Sequence, residues 1–148
     1  MATTTPEINL QIINRPRERP ELVQKLAAFT LKEMYGDDKP TAAELEEQVE
    51  NTNVSTTALA LDPNGEILAT AAYITMYDPR QAELVDVVSR TDLRRGGLGR
   101  QVVGAVEATA REAGIRTMKV VPLPDSVPFY EKLGYQRSAS GGFVESLN

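Results

Sequence analysis

A chain of 148 residues, 41% hydrophobic and 25% charged, is long enough for one domain with a buried core. It contains neither cysteine nor histidine, which excludes disulfides, thiolate metal sites, a cysteine nucleophile and Ser-His chemistry, and no metal site is expected. With 21 acidic and 16 basic residues the net charge is −5, which argues against nucleic acid as a partner. No apolar run reaches membrane-spanning length and the start "MATTTPEINL" lacks the form of a secretory leader, so no membrane is expected and the cytoplasm is the expected compartment.

The chain reads as one domain, 1–148, with residues 1–6 a flexible tail. "INLQII", residues 8–13, predicts a first strand, and Pro20 sits well for a helix start before the helical spacing of Leu22, Leu26 and Phe29. Thr41 and Glu44 form a capping box that opens a second helix, "AAELEEQVEN". "TTALALD" and "EILATAAYITMY" read as a strand pair turning through Asn64-Gly65, and "AELVDVVS" as the next strand. Val102, Val103, Val106 and Ala110 mark one face of a long helix over 98–113 that stops at Gly114. "RTMKVV" is a further strand, "SVPFYEKLG" a short helix, and the tail holds one or two short strands. The order β-α-α-β-β-β-α-β-α-β implies an α/β chain with a mixed sheet, helices on both faces and a crossover around the long helix.

"RRGGLGR", residues 94–100, puts three glycines and three arginines between a strand and that long helix. A glycine turn feeding a helix N-terminus exposes unpaired N–H groups at the positive end of the helix dipole, a natural anion site. A P-loop fails because Gly99 is followed by Arg100-Gln101 rather than Lys-Ser/Thr. A dinucleotide fingerprint wants a small residue at Val102 and an acid at the end of the next strand, which reads "TMKVV".

Arg94-x-x-Gly97-x-Gly99 resembles the Gln/Arg-x-x-Gly-x-Gly/Ala signature of the GCN5-related N-acetyltransferase (GNAT) family, and "SVPFYEKLGYQ" resembles its second signature. The two span Glu83 to Tyr135 in the expected order and spacing. Locally these stretches are most similar to the glucosamine-6-phosphate N-acetyltransferases, which also carry an acidic residue at the Asp86 position; the residue matching Val85 is usually acidic there. The resemblance implies the acyl-CoA N-acyltransferase fold, with acetyl-CoA as cosubstrate in a gap between the strands "LVDVVS" and "TMKVV". It implies a pyrophosphate site on Arg94, Arg95, Gly96, Gly97, Leu98, Gly99 and Arg100. It further implies a pantetheine track along Val87, Val88 and Ser89, and coenzyme contacts from Ser126, Phe129 and Lys132. Ser126 stands where many relatives have Asn, and Pro128 where many have a small residue.

The resemblance implies that Tyr130 protonates the departing thiolate, and a phenol can donate at neutral pH. Without a cysteine or histidine nucleophile, direct attack by a neutral amine is the simpler route, and it needs a base. Glu83 and Asp86 are the acids on the right strand. They differ in parity, so an unbulged strand turns them to opposite faces, and a bulge reopens the choice. The acceptor is a primary amine of a small molecule or peptide, with an amino sugar phosphate among the options. Asp37, Asp38 and Glu44 suit a cationic acceptor; Arg80 suits a phosphate or carboxylate. A non-catalytic acyl-CoA binding module on the same fold is the rival reading. A homodimer through "GGFVESLN" is an expectation carried by analogy alone.

Overall fold

The computed structural model of the protein describes residues 8–93, 97–139 and 141–147. The expected tail, 1–6, lies outside the described residues. Strand β1, Asn9–Ile13, leads through a short 3-10 turn into helix α1, Pro20–Tyr35. Proline at its first turn costs no hydrogen bond, and Gly36 ends the helix in the left-handed conformation, φ 69°. Helix α2, Ala42–Asn53, starts at the expected capping box: the Glu44 amide donates to Thr41 Oγ1, and the Thr41 amide donates to Glu44 Oε1, both at 3.1 Å.

Strands β2, Thr56–Leu61, and β3, Ile67–Thr75, form the expected hairpin. Asp62 and Glu66 close it around Pro63-Asn64-Gly65, of which only Gly65 has positive φ, 81°. The Asp62 carboxylate holds this loop: its Oδ1 accepts from the amides of Asn64 at 2.8 Å and Glu66 at 2.9 Å.

The remaining elements are β4 (Gln81–Ser89), α3 (Leu98–Glu112), β5 (Thr117–Val120), α4 (Val127–Lys132), β6 (Gln136–Arg137) and β7 (Phe143–Ser146). The seven strands make one sheet in the order β1-β2-β3-β4-β5-β7-β6. All neighbours are antiparallel except β4 and β5, the two strands joined through α3. The C-terminal strand β7 therefore lies inside the sheet, between β5 and β6.

Helices cover both faces. On one face, α3 sets Val102, Val103, Val106 and Ala110, all fully buried, against Ala58, Ala60, Ala69 and Ala71. Small strand residues let the helix approach closely, and each buried valine contributes up to about 1.5–3 kcal/mol. On the other face, α1 packs Leu26 onto Ile13, Leu59 and Ile67, with Leu22 and Phe29 at the margin. Among the described residues no helix is long and apolar enough to cross a membrane.

Candidate active site

Strand β4 pairs with β5 over only three residues, Gln81, Ala82 and Glu83 against Thr117, Met118 and Lys119. From Leu84 to Ser89 it runs on without a β5 partner, while β5 ends at Val120. The cause is visible on the β3 side. Val85 pairs with Ala72 and Val88 with Thr70, so Asp86 and Val87 together stand against Ala71. Such a bulge bends and twists the strand that carries it. Asp86 takes φ 51°, the left-handed region that aspartate enters more readily than most residues.

The gap opens into a cavity of about 890 Å³. One wall is Val87, Val88 and Ser89, a second is Gly97, Leu98, Gly99 and Arg100, and the far side is Leu123 to Ser126 with Phe129, Tyr130 and Lys132. The strand, the helix start and the second motif thus converge. Arg94, Arg95 and Gly96 lie outside the described residues.

Gly97 caps α3 with φ 82°, a conformation that lets the chain enter the helix sharply and leaves its first amides directed at the cavity end of the fold. Gly99 has a different reason to be glycine. A Cβ there would lie 3.4 Å from the Phe129 ring and 3.5 Å from Ser89 Oγ, in ordinary contact, so a side chain larger than alanine's would have to displace one of them.

Tyr130 is 5% exposed yet borders the cavity. Phe129 meets it edge-on at 5.0 Å between ring centres, and Tyr135 does so at 5.6 Å from another direction. Burial pushes the Tyr130 hydroxyl up to about 12, so it keeps its proton throughout the neutral range and is available as a donor. Phe129 also borders the cavity, so the two adjacent aromatics share it.

Neither Glu83 nor Asp86 is among the cavity walls. Ala82 and Leu84 belong to the α3 core, so Glu83 between them is turned to the α1–α2 face. The bulge turns Asp86 to that same face, where Gln48 Nε2 of α2 donates to Asp86 Oδ2 at 3.1 Å. Burial raises the Asp86 carboxyl above its ordinary value, and the Gln48 hydrogen bond opposes the rise. Gln48 is a residue that motif reading passes over. Its signal is positional: Leu45, Gln48, Val49 and Thr52 recur at helical spacing, so a polar side chain stands at an inward position.

Of the residues considered for the acceptor, Arg80 is held by Asp78, its Nε and Nη2 each 3.3 Å from a carboxylate oxygen. Asp37 accepts from the Lys39 amide at 3.1 Å, and Glu44 is engaged in the capping box. Met34, at the end of α1, reaches the cavity wall. Chemically, the cavity combines a helix start suited to an anion with a protonated phenol in its wall, while the half-buried Asp86 carboxylate stands on the α2 side of the same strand.

A model of the Acetyltransferase (GNAT) family matches residues 21–135. Comparison with curated protein sequences gave no match. Among solved structures, a GNAT family N-acetyltransferase from Escherichia coli in complex with CoA is similar at 15% identity, over 100% of this chain and 86% of that one, TM-score 0.73. An aminoglycoside 6'-N-acetyltransferase complexed with coenzyme A is similar at 19% identity, over 95% and 97%, TM-score 0.71. An aminoglycoside 6'-acetyltransferase type Ii reaches 23% identity over the same shares, TM-score 0.71. At these identities the likeness is one of fold.

Proposed function

Since the chain belongs to the GNAT family of acetyltransferases, we propose that it moves the acetyl group of acetyl-CoA directly to a primary amine of a small molecule or peptide. One observation carries this reading: β4 parts from β5 after Glu83, and the opening ends on the glycine-capped start of α3 with Tyr130 in its wall. The residues present fit the coenzyme. Gly97 and Gly99 leave a cradle without side chains at a helix N-terminus, which suits a diphosphate. The β4–β5 pairing stops at Glu83, and the β5-side edge beyond it, at Val87 and Val88, suits an extended arm that pairs like a strand. Two of the similar structures carry CoA by name.

Acetyl-CoA supplies an activated thioester when bound; the protein supplies position and protons. Asp86 takes the proton from the acceptor's ammonium, leaving a neutral amine. Its raised basicity suits that task better than an ordinary surface carboxylate would. Glu83, on the same face of β4, is the second candidate for the base. Tyr130 gives its proton to the departing sulfur. Arg94, Arg95 and Arg100 add attraction for the diphosphate, and Ser126, Phe129 and Lys132 border the coenzyme.

For the acceptor, residues 37–50 hold six acidic side chains and one lysine, which favours a cationic amine. An amino sugar phosphate is the finer alternative, supported by the local motif likeness. The test is free-thiol release from acetyl-CoA across a panel holding an aminoglycoside, an amino sugar phosphate and peptides with free N-termini. Release dependent on one amine class supports the proposal. Tight acetyl-CoA binding without release to any amine contradicts it and favours a binding module.

A further inference from the structure

We propose that Gln48 is a positioning residue for deprotonation of the acceptor: it fixes the Asp86 carboxylate at the strand bulge and ties it to helix α2. This rests on the reading of Asp86 as the base. Helix α2 buries only two residues, Gln48 at 6% exposure and Thr52 at 4%, and both are polar. A helix held down for stability alone would bury leucine there, because an amide taken out of water is costly unless it is hydrogen-bonded. Gln48 is hydrogen-bonded, and to the one non-glycine residue with positive φ among those described.

The donor is itself held in place. Thr52 Oγ1 donates to the Gln48 carbonyl at 3.0 Å, and Ser55 Oγ donates to the Thr52 carbonyl at 2.8 Å. Ser55 Oγ and Thr57 Oγ1, the latter on β2, lie 2.9 Å apart and share a hydrogen bond. A buried polar seam thus ties the second half of α2 to the sheet, fixing the backbone position from which the Gln48 side chain reaches Asp86. Burial and this one hydrogen bond are what act on the Asp86 carboxyl. The charged groups on the surrounding elements are engaged or turned elsewhere. Glu33 of α1 accepts from the Thr91 amide and hydroxyl at 2.9 and 2.7 Å, and Glu44 of α2 closes its capping box. Glu46, Glu47 and Glu50 of α2 are exposed, and Glu83 stands in register with Lys119 where β4 meets β5.

A donor on the anion favours the ionised form, so removing it raises the carboxyl's pKa. The test is a carbon-13 titration of the Asp86 side chain in coenzyme-free protein, run beside the pH profile of kcat/KM. In Gln48→Leu the midpoint should rise by about one unit, the scale of a hydrogen bond to a charged acceptor. The acid limb of the profile should follow, giving about tenfold loss at low pH and little at high pH, with KM for acetyl-CoA unchanged. Gln48→Glu, nearly the same shape, should move the midpoint further, because a second carboxylate opposes ionisation. It also serves if the leucine variant does not fold. Midpoints that stay at the wild-type value in the folded Gln48 variants overturn the proposal. Asp86→Asn separates the two readings: if it keeps the wild-type rate and acid limb, Asp86 is not the base. If it abolishes the limb while the Gln48 variants titrate as wild type, only the role of Gln48 falls.

Discussion

The two faces of the sheet are built from different materials. On the α3 face the site is made of backbone: a strand edge beyond its β5 pairing, a helix start capped by a glycine at φ 82°, and a second glycine that lies beside Phe129. On the α1–α2 face it is made of side chains, with Gln48, Thr52, Ser55 and Thr57 forming a buried polar seam that ends on Asp86. A backbone-built half can serve one unvarying ligand over very different sequences, because main-chain amides do not change with mutation. A half built of side chains can be re-specified by a few substitutions. On the function proposed above, the coenzyme would use the first property and the acceptor the second.

The contrast breaks most sharply at Tyr130. Tyr130→Phe removes the donor but keeps the ring packing against Phe129 and Tyr135. We expect kcat to fall about 100-fold or more, with acetyl-CoA affinity nearly unchanged in calorimetry. Gly97→Val should strike the backbone-built half instead. A β-branched residue at φ 82° costs about 1–2 kcal/mol, read as a lower melting temperature, and acetyl-CoA binding should weaken about tenfold.

Thr41→Ala tests the other half through its helix. Loss of the capping box should cost about 1 kcal/mol, or about 2–4 °C in melting temperature, and should raise the acceptor KM more than that of acetyl-CoA. The smallest effect is expected at Glu145 on β7. Burial and the neighbouring Glu107 raise its carboxyl to about 8, with Arg111 opposing, and its Oε2 is buried without a hydrogen bond. Tyr135, whose hydroxyl donates to Glu107 at 2.9 Å, completes this group behind Tyr130. A folded-state pKa above the unfolded value contributes stability that is full below pH 4.5 and lost as pH rises through about 8. Glu145→Gln should flatten the melting temperature over that window; an unaltered slope would show that Glu145 does not carry the proton.

The coenzyme half was legible in the sequence because its constraints fall on rare residues. Glycines at 97 and 99 and the aromatic pair at 129 and 130 each leave a local signature, and the fold brings them to one cavity. The hairpin and its Pro63-Asn64-Gly65 connection were legible, but the Asp62 side chain that holds the loop was not. Parity alone left Glu83 and Asp86 open, with a bulge named as what would change it, and the bulge is there. A bulge is a property of two strands in register, and β4 alone does not announce that Ala71 will face two residues. Gln48 lies 38 positions from Asp86, so its partner was hidden although its inward position was readable.

Amide hydrogen exchange, measured with and without CoA, tests the central claim most directly. The account predicts that CoA slows exchange at Val87 to Ser89 and at Gly97 to Arg100, with the α2 amides little changed. Unaltered exchange at both segments under saturating CoA, or protection confined to other elements, would contradict it.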